Sequence, residues 1–189
     1  MIVQRVSHAP DIDDRDATRP PVLVIMGVSG CGKSTVSGML AGILAWDLEE
    51  GDDLHPAANV AKMASGQALT DDDRWPWLDA VAQWIDAHIE SGAPGIVTCS
   101  ALKRVYRDRL RRPGVAFVHL DGPREIIAQR LNRRIDHFMP GSLLDSQFAT
   151  LEPLEPDENG MVVNLGPSPR EEVDEILTRM PSLLRTGNA

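Results

Sequence analysis

Gly27-Val-Ser-Gly-Cys-Gly-Lys-Ser34 fits the pattern GxxxxGK[ST], and what stands on either side of it sets the architecture. Upstream, Val22-Leu-Val-Ile-Met26 is a short apolar, β-branched run that reads as a strand. Downstream, Val36, Leu40, Ile43 and Leu44 recur at helical spacing from Lys33 onward. Strand, glycine-rich turn and helix are the context in which this pattern binds phosphate. The glycines let successive backbone N–H groups wrap an anion, the helix N-terminus adds positive potential, and Lys33 reaches the outer phosphate oxygens. The expected nucleotide-binding set is Gly27, Val28, Ser29, Gly30, Cys31, Gly32, Lys33, Ser34 and Thr35, with the Ser34 hydroxyl also a ligand for Mg²⁺. A thiol beside a helix N-terminus can have a lowered pKa, so Cys31 is expected to be reactive.

Working outward, strands are predicted at 46–50, 95–100, 115–120 and 161–165, with helices at 56–65, 72–91, 123–134 and 170–184. Short apolar strands alternating with helices give parallel βαβ units, hence an α/β fold with helices on both faces of the sheet. Residues 136–160 carry Pro140, Gly141, Pro153, Pro156 and Gly160 and read as a mobile flap. Residues 1–21, with three prolines and the run Asp11-Ile-Asp-Asp-Arg-Asp16, read as a mobile tail before a single domain at 22–189.

The chain has 189 residues with 19 basic and 28 acidic side chains, a net charge of −9. That balance argues against a surface given over to nucleic acid or anionic membrane, so any anionic ligand must meet a local basic pocket. Two cysteines make no disulfide framework, and no apolar stretch approaches the ~20 residues of a membrane helix, so a soluble cytoplasmic protein is expected.

A phosphate loop alone does not choose among kinases, GTPases and motors. No NKxD guanine signal is present, and 189 residues leave little room for a motor core. Asp121 can be read as a metal-side acid after an apolar strand, or as the cap of a helix with Pro123 at its first position; the capping reading is preferred. The second strand runs into Glu50-Gly-Asp-Asp-Leu-His-Pro56. There, at the carboxyl edge beside the phosphate loop, Glu50 and Asp52 point the same way if the backbone stays extended and can divide two roles, metal-water ligation and acceptance of a hydroxyl proton.

Six blocks in this order resemble the gluconokinases: GVSGCGKST at 27–35, EGDDLHP at 50–56, Lys62-Met63, LTDDDRWPWL at 69–78, CSALKRVYRD at 99–108 and HFMPGSLLDSQFATL at 137–151. The resemblance implies a three-layer P-loop kinase fold similar to shikimate kinase, with a five-stranded parallel sheet of order 2-3-1-4-5 and a mobile lid at about 130–150. It also implies ATP and Mg²⁺ as cofactors, gluconate as substrate and a homodimer. Other small-molecule kinases of the same fold, or a nucleotide-binding regulator without transfer chemistry, are the alternatives.

A linear polyol with one carboxylate needs cations for the carboxylate and polar groups for its hydroxyls. His55, Arg74, Lys103 and Arg107 are the candidates, joined by Asp52 as proton acceptor and by His137; Arg74 can instead simply pair with Asp71. Arg130 and Arg134 fall where similar kinases place lid arginines against nucleotide, and Arg133 reads as surface. Tyr106 and Asp108 read as structural, Lys62 as a solvated helix residue, and Trp77, Val81 and Trp84 as packing.

Overall fold

The computed structural model describes residues 21–132, 141–166 and 168–186. Strand β1 (Val22–Met26) is entirely buried, as a central parallel strand must be when helices cover both its faces. It pairs in parallel with β3 (Gly95–Thr98) and β4 (Val115–Asp121). Outside these lie β2 (Asp47–Glu50) and β5 (Gly160–Asn164), so the order is β2-β3-β1-β4-β5 as expected.

The two-residue period of β1 sorts its side chains between two cores. Leu23 and Ile25 pack with Val36 and Leu40 of α1 (Lys33–Leu44) and with Val173 and Ile176 of α7 (Pro169–Thr186). Val22, Val24 and Met26 pack with Trp77, Leu78, Val81 and Ile85 of α3 (Asp71–Ser91) and with Tyr106 and Leu110 of α4 (Arg104–Leu110). Thr70 and Asp73 form a reciprocal capping box at the start of α3. The remaining elements are a 3₁₀ turn (Gly51–Leu54), α2 (Ala57–Ala64), α5 (Arg124–Asn132) and α6 (Gly141–Thr150).

Four expectations are corrected. The flap at 136–160 contains α6, because Leu144 is buried and Phe148 packs against the same core one turn later; prolines and glycines punctuate only its ends. Helix α4 answers to no predicted element, since the helix is only seven residues long and four of them, Arg104, Arg107, Asp108 and Arg109, are charged. Asp121 closes β4 and α5 starts three residues later, so Asp121 is not the residue flanking that helix. The backbone turns into a 3₁₀ helix directly after Glu50, so the extended geometry assumed for Glu50 and Asp52 does not hold. Residues 1–20 of the expected tail and 133–140 of the expected lid lie outside the described residues. Among the described residues no helix is long and apolar enough to cross a membrane.

Candidate active site

The phosphate loop leaves the end of β1 through Gly27, whose φ of 135° lies in the region that favours glycine. A Cβ there would stand 2.7 Å from the Leu120 carbonyl oxygen and 2.9 Å from Cys31 Sγ, so no other residue fits. Lys33 Nζ donates to the carbonyl oxygens of Gly27 (3.0 Å) and Val28 (3.2 Å), and the Ser29 N–H donates to Gln147 Oε1 (2.7 Å). Arg130 reaches the back of the loop: its guanidinium donates to the carbonyl oxygens of Cys31 and Gly166 and to Glu172 Oε1, each at 3.2 Å. Cys31 is corrected. Its thiol is fully buried, and burial raises its pKa despite the opposing pull of Lys33, so it is not a poised nucleophile. Arg134 and His137 lie outside the described residues.

Beside the loop, Glu50 Oε2 accepts from Ser34 Oγ (3.0 Å) and from Thr98 Oγ1 (2.7 Å). Thr98 also accepts the Gly51 N–H at 3.1 Å, and Trp77 Nε1 donates to the Gly51 carbonyl at 2.7 Å. A Cβ on Gly51 would overlap the Thr98 carbonyl oxygen, so glycine is required where the chain crosses β3. Past that point Asp52 lines a cleft of about 720 Å³ whose lining does not include Glu50. Ser29 and Lys33 line this cleft from the loop, Asp52, His55 and Arg74 from the 3₁₀ turn and the start of α3, and Ser146 and Gln147 from α6.

His55 stacks on Trp77 with ring centroids 4.3 Å apart and an interplanar angle of 16°. Burial lowers its pKa, with Asp52 opposing and Arg74 assisting. Asn59 Nδ2 donates to the Asp73 carbonyl (2.7 Å) and lies 3.3 Å from His55 Nδ1, so Nδ1 accepts and the ring proton belongs on Nε2. The site therefore holds a neutral imidazole with one N–H to offer.

Arg74 does not take Asp71 as its hydrogen-bond partner. Lys103 Nζ donates to both Asp71 oxygens (2.9 and 2.8 Å), Tyr106 OH donates to Asp71 Oδ1, and Arg74 Nη1 donates to Tyr106 OH (3.2 Å). Lys103 and Tyr106 together hold the Asp71 carboxyl below its usual range. Lys103 thus props the Arg74–Tyr106 pair and is not part of the cleft lining. Lys62 pairs with Asp73. Arg107 is corrected: it is fully buried, donates to both oxygens of Glu158 (2.6 and 2.9 Å), and directs its other N–H groups at the carbonyls of Ala101, Leu102, Glu152 and Pro153. No donor is left over for a substrate.

Gln147, Thr98 and the cleft-lining place of Trp77 carry no signal in the sequence pattern. Gln147 and Trp77 do lie inside the blocks that carry the resemblance.

The phosphate loop and the Asp52, His55 and Arg74 group share one cleft at the carboxyl edge of a parallel sheet, the arrangement of P-loop kinases that act on small molecules. No family model matches the chain. Gluconokinase of Gluconobacter oxydans is 48% identical over 161 residues, 84% of this chain and 90% of the relative. The crystal structure of a gluconokinase from Sinorhizobium meliloti superposes with a TM-score of 0.80 at 43% identity, covering 89% of this chain and 95% of that one. Shikimate kinase from Aquifex aeolicus, at 16% identity and a TM-score of 0.56 over 85% of this chain and 96% of that one, shares the fold alone. The chain belongs to the gluconokinase family and is an enzyme of that family.

Proposed function

We propose that this enzyme transfers the γ-phosphoryl group of ATP to the 6-hydroxyl of D-gluconate, giving 6-phospho-D-gluconate and ADP. The observation that carries the reading is that Lys33 and Asp52 line one cleft with Arg74 and His55. The loop N–H groups and Lys33 hold the phosphates, and Arg74 offers its unoccupied donors to the substrate carboxylate. His55 Nε2–H and Trp77 shape the polyol site. Asp52 accepts the proton as the hydroxyl oxygen forms its bond to phosphorus and ADP departs with the electrons of the broken P–O bond.

Ser34 and Glu50 supply a hydroxyl and a carboxylate oxygen side by side, the hard donors that suit Mg²⁺. Among the described residues no cluster of three or more His, Cys, Asp or Glu side chains could hold a metal, which fits an ion that takes its remaining ligands from phosphates and water. When bound, the ion neutralises charge on the β- and γ-phosphates. The resemblance adds Arg130, Arg134 and His137 as nucleotide and lid residues, the lid at about 130–150, the homodimer and the cytoplasmic setting; Arg130 as it stands braces the back of the loop.

The test is an acceptor panel with coupled ADP detection, run on wild type and Asp52→Asn. Gluconate should be turned over, and glucose, shikimate and nucleoside monophosphates should be poor acceptors. Asp52→Asn should lower kcat by roughly 10²-fold while nucleotide affinity holds. A preference for another acceptor would refute the substrate. Near-normal turnover by folded Asp52→Asn would move the base to Glu50.

A further inference from the structure

Ser29 belongs to the phosphate loop, and its N–H is one of the donors such a loop turns toward an anion. Here that N–H donates at 2.7 Å to the amide oxygen of Gln147, a side chain 118 positions away on α6. Lys33 Nζ, in the same loop, is folded onto the carbonyls of Gly27 and Val28. Two donors suited to phosphate are therefore satisfied by neutral oxygens of the protein itself. Gln147 also lines the cleft that holds Lys33, Asp52 and Arg74, so its amide is at once on the phosphate loop and in the cleft.

A primary amide carries an acceptor and a donor on one carbon, and the terminal torsion that exchanges them is broad and roughly two-fold. A phosphate oxygen arriving at the Ser29 N–H competes with the amide oxygen, and the two acceptors repel. The amide nitrogen in the same place attracts.

We propose that Gln147 reads the state of the phosphate loop, its Oε1 holding the Ser29 N–H when no γ-phosphoryl is present and its Nε2 donating to the γ-phosphoryl of ATP once that group has taken the N–H. One residue then keeps α6 on the loop in both states and adds a donor to the group being transferred, where developing charge makes such a bond most effective. The inference rests on the kinase reading of the cleft, and its test needs no gluconate, so it fails independently of the acceptor assignment.

Gln147→Glu keeps the length and the acceptor but cannot donate, and it sets a negative charge against the γ-phosphate. Titration calorimetry of the full chain with ATP and with ADP, each with Mg²⁺, reads the consequence. The ratio of the ATP to the ADP dissociation constant should rise by roughly tenfold relative to wild type. A rise of less than about fivefold overturns the proposal; the added carboxylate can by itself disfavour ATP, so the uncharged Gln147→Met must move the ratio in the same direction. Gln147→Met, which also decides if Gln147→Glu does not fold by circular dichroism, should raise the same ATP-to-ADP ratio about fivefold, and a ratio unchanged within about twofold refutes the role, because a residue that merely braces α6 affects both nucleotides alike.

Discussion

Arg107 belongs to α4 and Arg74 reaches α4 through the Tyr106 hydroxyl, and the fold uses the two oppositely. Arg107 sits in a sealed clamp where Glu158 and four backbone carbonyls receive its guanidinium. Arg74 stands half-buried in the cleft wall, and among the described residues its one hydrogen bond goes to the Tyr106 hydroxyl. An arginine serves a ligand only with the donors the fold has left it. In the clamp, burial pushes the Glu158 carboxyl up, but the Arg107 guanidinium and a backbone N–H overcome it, so the pair is ionised and joins the β3–α4 connection to the α6–β5 connection.

The largest effect expected from this contrast is on stability. Arg107→Met leaves Glu158 buried without its counter-charge, and breaking a buried pair from one side costs about 3–5 kcal/mol. Urea unfolding should show that loss, while the folded fraction keeps its KM for gluconate. A raised KM with unchanged stability would return Arg107 to the substrate site and break the comparison.

Arg74→Met should show the reverse. Its guanidinium gives the fold one bond, so the melting temperature should change little, whereas the gluconate KM should rise or kcat fall by roughly tenfold, the scale of one hydrogen bond to a charged group. ATP affinity should hold. Equal damage to ATP and gluconate binding would mean that Arg74 supports the whole cleft and does not grip one substrate.

The same contrast explains what could be read in advance. β1, the loop and α1 are contiguous, so apolar periodicity and one motif suffice for them, and the sheet order came with the resemblance. Arg107 was misread because Glu158 lies 51 positions away and its other acceptors are backbone carbonyls, which no residue pattern announces. Cys31 was placed correctly in the loop, yet its burial depends on how the loop folds against β4 through Gly27. Gln147 lies within a block that carries the resemblance, but no pattern assigns it a role, because its partner is the backbone N–H of Ser29, 118 positions away. Side chains whose partners are distant backbone atoms are the part of the site that periodicity and motifs do not reach.

The smallest effect concerns His55, where the cleft wall meets the core. Burial, the dominant cause, and Arg74 lower its pKa below the usual 6.5, while Asp52 pulls the other way. Protonation would also place an N–H on Nδ1, facing the donor Asn59 Nδ2, so the folded state resists the proton twice over. As pH falls through 6.5 the unfolded chain takes up this proton before the folded one does. The His55 contribution is therefore fully present above 6.5 and is lost progressively below it, down to the folded-state pKa. Between about pH 7.5 and pH 5.5, wild type should lose slightly more stability than His55→Gln, which carries no titrating ring. The double variant with Arg74→Met sharpens the comparison, because removing the neighbouring cation raises the His55 pKa and should narrow the gap between histidine and glutamine at that position. Parallel slopes for wild type and His55→Gln in chemical denaturation would show that the imidazole does not carry this acid sensitivity, and a gap unmoved by Arg74→Met would show that the arginine does not face His55 electrostatically.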